Sequence, residues 1–197
     1  MFRYLLFNKP FNVLSQFTAG VASSHTAMVR QTLADFISIS DVYPAGRLDL
    51  DSEGLLLLTN DGEFQHRVAD PRYAHPRIYW AQVEGLITPA ALDQIQSGMV
   101  IQGHRTKRAK AREIDEPSLP ARVPSVRFRK SIPTSWLELT LTEGRNRQVR
   151  HMTAAVGIPT LRLIRAAIGA LTLEGLAQGE WRNLERREVD MFRGAPR

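Results

Sequence analysis

Two spacings of apolar residues run through this chain. Residues 78–84 and 136–141 alternate apolar and polar side chains, the mark of strands with one buried face. Residues 3–7 form a short apolar run stopped by Asn8-Lys9-Pro10, and 55–59 a continuous one closed by Asn60-Asp61-Gly62. Both read as buried strands, and 160–168 and 181–184 supply further strand material. Helical spacing governs elsewhere. Met28, Val29, Leu33, Phe36 and Ile37 predict an amphipathic helix over 26–37. A short helix over 63–69 ends before Pro71, and Thr88-Pro89 opens another through Gln96, with threonine as cap and proline at the first helical position. A helix over 147–156 is stopped by Gly157, and 185–191 gives a last short one. Residues 117–134 hold four prolines and predict an exposed loop. There is no repeat and no low-complexity segment. Strands and helices do not alternate regularly, so the pattern predicts an α+β fold: a central, mostly antiparallel mixed sheet flanked by helices and loops.

Composition narrows the class. At 197 residues, 43% apolar and 23% charged, the chain is long enough for a real core and predicts one domain, or one domain with two lobes, across 1–197. The longest aliphatic run is the four leucines Leu55, Leu56, Leu57 and Leu58, far short of the roughly 20 apolar residues of a membrane span. The first residues lack the layout of a secretion signal. The absence of cysteine excludes a disulfide scaffold, thiol catalysis and thiolate metal sites. The expected setting is cytoplasmic.

The net charge of +6 is unevenly placed. Residues 105–130 carry nine basic and three acidic groups, while the remainder balances at 17 of each. A second stretch, 144–173, contains Arg145, Arg147, Arg150, Arg162 and Arg165 and no acid. Clustered cations of this kind suit a polyanion, because each phosphate neutralised releases a condensed counterion. The competing reading is a solvated basic edge.

Candidate chemistry concentrates between Gly46 and Gly62, where Arg47, Asp49, Asp51, Glu53 and Asp61 flank the buried leucine run. Carboxylates at alternate positions fit a solvated structural loop, a metal site, or a nucleophile kept ionised by a neighbouring guanidinium. Spacing leaves all three open. His25, His66, His75, His104 and His151 are scattered without metal-ligand spacing.

Four segments, in order, carry a resemblance that spacing alone does not. Gly46-Arg47-Leu48-Asp49, followed by Ser52-Glu53-Gly54 and the leucine run to Thr59-Asn60-Asp61-Gly62, resembles the catalytic motif of the RsuA/RluB/E/F branch of pseudouridine synthases. Asn8-Lys9-Pro10 resembles that branch's opening NKP. The segment from Arg77 through Tyr79 and Val83 to Gly85 resembles its K-x-Y-x-x-x-V-x-G, with Arg77 where lysine is usual. Glu143-Gly144-Arg145-Asn146-Arg147-Gln148-Val149-Arg150-His151-Met152 resembles its EGRxxQVRRM, with His151 in a basic position.

The resemblance implies an enzyme that isomerises a uridine to pseudouridine, and the wording of the motifs is nearest to members acting on large-subunit (23S) ribosomal RNA. It implies Asp49 as the catalytic carboxylate, Arg150 as its basic partner, and Tyr79 as the aromatic that stacks on the target base. Arg47 is then a contact to the RNA or a filler of the gap left by the flipped nucleotide, and Leu163 an apolar floor under Tyr79. Lys9, Arg145, Arg147, Arg105, Lys107 and Arg108 are counted as substrate-binding residues. No metal or cofactor is implied; the expected partner is a folded hairpin region of ribosomal RNA, and the expected state a monomer. Many members carry an RNA-binding domain ahead of NKP. Only seven residues precede it here, so no accessory domain is expected. Two readings stand against this one: a non-enzymatic RNA-binding module on the same fold, and a metal-dependent nuclease or glycosidase using Asp49, Asp51 and Glu53.

Overall fold

The structure is a computed structural model that describes residues 1–18, 30–127 and 129–194. Its strands are β1 (Tyr4–Lys9), β2 (Tyr43–Pro44), β3 (Glu53–Thr59), β4 (Arg77–Glu84), β5 (Val100–Ile101), β6 (His104–Arg105), β7 (Lys110–Ile114), β8 (Thr134–Leu141), β9 (Thr160–Ile168), β10 (Leu171–Thr172) and β11 (Trp181–Asn183). Its helices are α1 (Gly62–Ala69), α2 (Pro89–Ser97), α3 (Gln148–Ala155) and α4 (Arg186–Arg193). The fold is α+β with predominantly antiparallel pairing, as the apolar pattern predicts. The chain divides into two compact units, one made of 1–73 with 170–197 and the other of 74–169. Among the described residues no helix is long and apolar enough to cross a membrane.

In the first unit β1 lies between β3 and β11, antiparallel to both, with Leu6 opposite Leu57 and Arg182. All seven residues of β3 are buried, so a continuous leucine run, and not alternation, is what its two covered faces require. Leu5, Phe7, Leu56 and Leu58 face a cluster with Leu33, Ile37 and Val42. The pleat turns Tyr4 and Leu6 the other way, and there the Tyr4 ring meets Phe64 of α1 at 4.9 Å, which in turn meets Phe192 of α4 at 5.6 Å. β1 runs on through Asn8 and Lys9, which pair with Leu55 and Gly54. The chain leaves the ladder at Pro10, the first residue without an N–H to give.

The helix expected over 26–37 lies partly outside the described residues. In the rest of that stretch the chain makes only a 3-10 turn, Leu33–Asp35. Thr32 closes it: its hydroxyl accepts from Ala34 N–H at 3.3 Å while its own N–H donates to the Asp35 carboxylate at 2.7 Å. The spacing of Leu33 and Ile37 therefore marks two residues buried from one turn, not a long amphipathic face.

The second unit is an antiparallel sheet in the order β9-β4-β8-β7. Ala81, Val83, Leu137, Leu139, Leu141 and Leu163 share one face and pack with Ile95 of α2 and Val149 and Met152 of α3. On the opposite face Glu138 accepts from Trp80 Nε1 at 3.1 Å and Arg112 Nε at 2.8 Å. Thr88 caps α2 by accepting from Ala91 N–H at 3.2 Å. β5 and β6 form a separate hairpin around Gln102 and Gly103, both with positive φ, the conformation a two-residue turn between twisted strands requires.

Candidate functional site

In the first unit Asp49 sits on a loop fixed at nearly every neighbouring residue. Ala45 N–H donates to Leu57 O at 2.7 Å. Leu48 is buried, and its main chain is held from both ends by one hydroxyl: Ser15 Oγ donates to Leu48 O at 2.8 Å and accepts from Leu48 N–H at 3.2 Å. Leu50 O accepts from Asn12 N–H at 2.9 Å, and Asp49 O accepts from Ser52 N–H at 3.1 Å. With Leu48 anchored inward, Arg47 is exposed and Asp49 half-buried. The main chain around Asp49 is thus held in place while its side chain keeps partial exposure.

Two other acids of the segment, Glu53 and Asp61, have separate employment. Glu53 is buried and accepts from Gln178 Nε2 at 2.9 Å. Asp61 caps α1, accepting from Phe64 N–H at 3.1 Å, from the Tyr4 hydroxyl at 2.7 Å and from Arg193 Nη2 at 2.8 Å. Burial alone would raise the Asp61 carboxyl, but the hydrogen bonds from Tyr4, Phe64 N–H and Arg193 hold it below the ordinary aspartate value. The Tyr4 hydroxyl is pushed up to about 12 by burial and then by its bond to that carboxylate and the nearby negative charge. Lys9 corrects an expectation. Its side chain is fully buried and its ammonium donates to the carbonyls of Pro10 at 2.8 Å and Val13 at 2.9 Å. It fixes the turn after β1 and is not displayed to RNA.

In the second unit Tyr79 lies on β4 opposite Leu139 on one side and Arg165 on the other, half-buried against the apolar cluster. Leu163 is opposite Ala81, two residues along, so Tyr79 and Leu163 are diagonal neighbours on one face. Arg77 is buried nearby. Burial lowers its pKa from the usual guanidinium value and the Arg165 charge adds to this, while Tyr79 acts in the opposite direction.

Arg150, on α3, is half-buried and donates from Nη1 to Thr160 O at 3.2 Å. Thr160 and Thr153 share a hydrogen bond of 2.7 Å beneath it. Arg145 is exposed, and Arg147 is half-buried in the left-handed conformation, φ 51°, at the N-cap of α3. Arg105, Lys107 and Arg108 are exposed. The acid-free arginine stretch, however, is not one surface stripe. Arg162 and Arg165 are 6% and 4% exposed within β9.

Two residues to which the sequence pattern assigns no role organise this region. Glu143 and Gln148 are both buried. Glu143 Oε1 accepts from Lys107 N–H at 2.9 Å and Gln148 Nε2 at 2.7 Å, and Gln148 Oε1 accepts from Arg145 N–H at 3.1 Å. The available signal was Glu143 itself, an acid opening a long run that has none.

A family model described as RNA pseudouridylate synthase matches residues 3–155. This chain belongs to the RNA pseudouridylate synthases. Among its relatives, the ribosomal large subunit pseudouridine synthase E of Xanthomonas campestris pv. campestris is 50% identical over 186 residues, 94% of this chain and 97% of the relative. Its namesake in Vibrio vulnificus is 49% identical over 182 residues, 92% of this chain and 75% of the relative. A solved pseudouridylate synthase crystal structure, 26% identical, covers 98% of this chain and 74% of its own with a TM-score of 0.79. The human RNA pseudouridylate synthase domain containing 1, 14% identical at a TM-score of 0.56, shares the fold. Membership in the pseudouridylate synthases makes the chain an enzyme and sets aside both the non-enzymatic module and the metal-dependent hydrolase.

Proposed function

We propose that this enzyme isomerises a uridine of large-subunit (23S) ribosomal RNA to pseudouridine with Asp49 as its catalytic carboxylate. The observation that supports this most directly is Asp49 itself: half-buried, on a loop whose neighbours are pinned, while Glu53 and Asp61 are committed to structural hydrogen bonds. The bond from ribose C1′ to uracil N1 breaks and one from C1′ to C5 forms; C5 loses a proton and N1 gains one. The reaction is redox-neutral, so it calls for positioned charge and a proton acceptor and for no redox group. A carboxylate serves it by adding to the ribose or by taking a ribose proton. The target nucleotide must leave its stack, at a cost of a few kcal/mol. The family resemblance assigns Tyr79 to stacking on the base with Leu163 as its floor, Arg150 to keeping Asp49 ionised, and Arg47 to the RNA. Arg105, Lys107, Arg108, Arg145 and Arg147 then serve the phosphates. The reading includes a cytoplasmic monomer.

The test compares pseudouridine maps of ribosomal RNA from a strain lacking the gene after complementation with wild type or Asp49→Asn. Wild type restores the missing position and Asp49→Asn does not. In vitro the variant loses at least about 10²-fold in rate while its RNA affinity stays within a few-fold, because phosphate contacts carry most of the binding. Substantial turnover by Asp49→Asn removes that residue from the mechanism. A full complement of large-subunit pseudouridines in the deletion strain removes the substrate.

A further inference from the structure

A carboxylate at Glu143 is at odds with its surroundings if those surroundings hold RNA. Residues 144–173 contain five arginines and no acid, and an exposed Glu at their head would repel phosphate. Its placement removes the conflict. Glu143 is 7% exposed and Gln148 4%, and each accepts a hydrogen bond from a main-chain N–H group. One carboxylate oxygen takes Lys107 N–H at 2.9 Å and the Gln148 amide at 2.7 Å; the Gln148 oxygen takes Arg145 N–H at 3.1 Å. The second carboxylate oxygen lies 3.8 Å from Arg145 Nε. Two segments 36 residues apart in sequence, as Lys107 and Glu143 are, are thereby fastened by their backbones, while the side chains of Arg105, Lys107, Arg108 and Arg145 stay exposed. A second tie runs alongside, where the Gln102 amide at the tip of the β5–β6 hairpin lies 3.0 Å from His151 Nε2 on α3.

We infer that Glu143 is a positioning residue for RNA. Through Gln148 and the Lys107 main chain it joins segments 105–108 and 145–147 into one phosphate-gripping face whose cations keep a fixed spacing. The inference rests on the proposed function, in which these cations face RNA. Cations held in place bind a polyanion better than the same cations on independent loops, because the ordering cost is met on folding instead of on binding. A carboxylate bonded to the Lys107 backbone does this without taking up the Lys107 side-chain charge, and its ion pair with Arg145 is a long one, at 3.8 Å.

The experiment measures the affinity of the full chain for in-vitro transcribed large-subunit RNA at several salt concentrations, together with single-turnover rates across enzyme concentration. Glu143→Ala weakens binding by about ten-fold and flattens the salt dependence, the log–log slope falling by roughly 0.7 for each phosphate no longer neutralised. The loss falls on the half-saturating enzyme concentration more than on the saturated rate. Glu143→Gln keeps an acceptor for Lys107 and Gln148 and binds near wild type. In a background of Arg105→Ala, Lys107→Ala, Arg108→Ala and Arg145→Ala, the further change Glu143→Ala costs less than about two-fold, since coupled residues are not additive. If the four-cation variant alone binds like wild type, the RNA-facing reading fails. If that variant is weak but Glu143→Ala binds with wild-type affinity and salt slope, the positioning role fails and the RNA-facing reading stands. Should Glu143→Ala not fold, Glu143→Asp, too short to span both donors, must show the weakened, flatter binding, and wild-type binding by it overturns the inference.

Discussion

Asp61 and Glu143 are both buried acids beside arginines, yet they do opposite things with them. Asp61 takes its hydrogen bonds from the Tyr4 hydroxyl, the Arg193 guanidinium and the first turn of α1. Arg193 also donates to the Tyr4 oxygen at 2.7 Å, which closes the cluster on itself. Glu143 takes its bonds from the main chain of Lys107 and the side chain of Gln148, leaving the Lys107 ammonium outside, and only its second oxygen approaches a guanidinium, Arg145 Nε, at 3.8 Å. An acid paired with cationic side chains consumes their charge and secures the fold. An acid paired with backbone secures the loop and leaves the charge available. The choice of donor separates a structural cluster from a presenting one, although both look like "acid among basics" in sequence.

Breaking the structural side gives the largest change in stability. Asp61→Ala removes a helix cap, leaves the Tyr4 hydroxyl without its acceptor and takes the carboxylate partner from Arg193, at about 3 kcal/mol, read by denaturant unfolding, with RNA affinity unaltered wherever the protein is folded. The contribution is also pH-dependent. Because the folded carboxyl sits below its ordinary value, the stability is fully present above the unfolded pKa, near 3.9, and is lost as pH falls through the lowered folded value. Asp61→Asn removes that acid limb, and a limb that survives would assign it to another carboxyl.

Lys9→Met sharpens the contrast from the other direction. It strands the carbonyls of Pro10 and Val13 and costs about 2 kcal/mol, with no change in the salt slope of RNA binding. A flatter slope with intact stability would return Lys9 to the RNA-binding set. Tyr4→Phe is milder, about 1 kcal/mol, and has a signature at high pH. The folded hydroxyl titrates near 12 against about 10 unfolded. Its stabilisation is therefore complete below about 10 and disappears as pH rises through the folded value of about 12. Phenylalanine abolishes that alkaline loss, which spectrophotometric titration and thermal melts across the range would show.

How much of this was legible in the sequence depends on what each residue's signal was. The helix that Thr88 and Pro89 open was readable because cap and first-turn proline agree, and 160–168 was read as strand material, which β9 is. β7 was not, since its Lys-Ala-Arg-Glu-Ile run buries only Ala111 fully, and the sheet edge exposes the rest. β2, β5, β6 and β10 are two residues each, too short to carry a period. For the candidate site, motif order led to Asp49, Tyr79 and Arg150, and the charge count led to 105–130. Charge could not tell the exposed Arg145 from the buried Arg162 and Arg165, because strand burial depends on partners distant in the chain. Lys9 misled for the same reason: a lysine reads as a surface cation until the carbonyls around it are known.

The first unit is written at both ends of the chain, 1–73 and 170–197, with the whole second unit between. β1 therefore gains β3 early in synthesis, but Leu5, Leu6 and Phe7 meet their partners on β11 only when residues 181–183 have been made. Of the described strands of this unit, the first to emerge from the ribosome is the last to be completed on both sides. Throughout translation of residues 74–169 that strand keeps an unpaired apolar edge, the kind of template that recruits wrong neighbours. Nascent-chain quality control, and not only the finished enzyme's stability, is thus where truncations after α3 would first be felt.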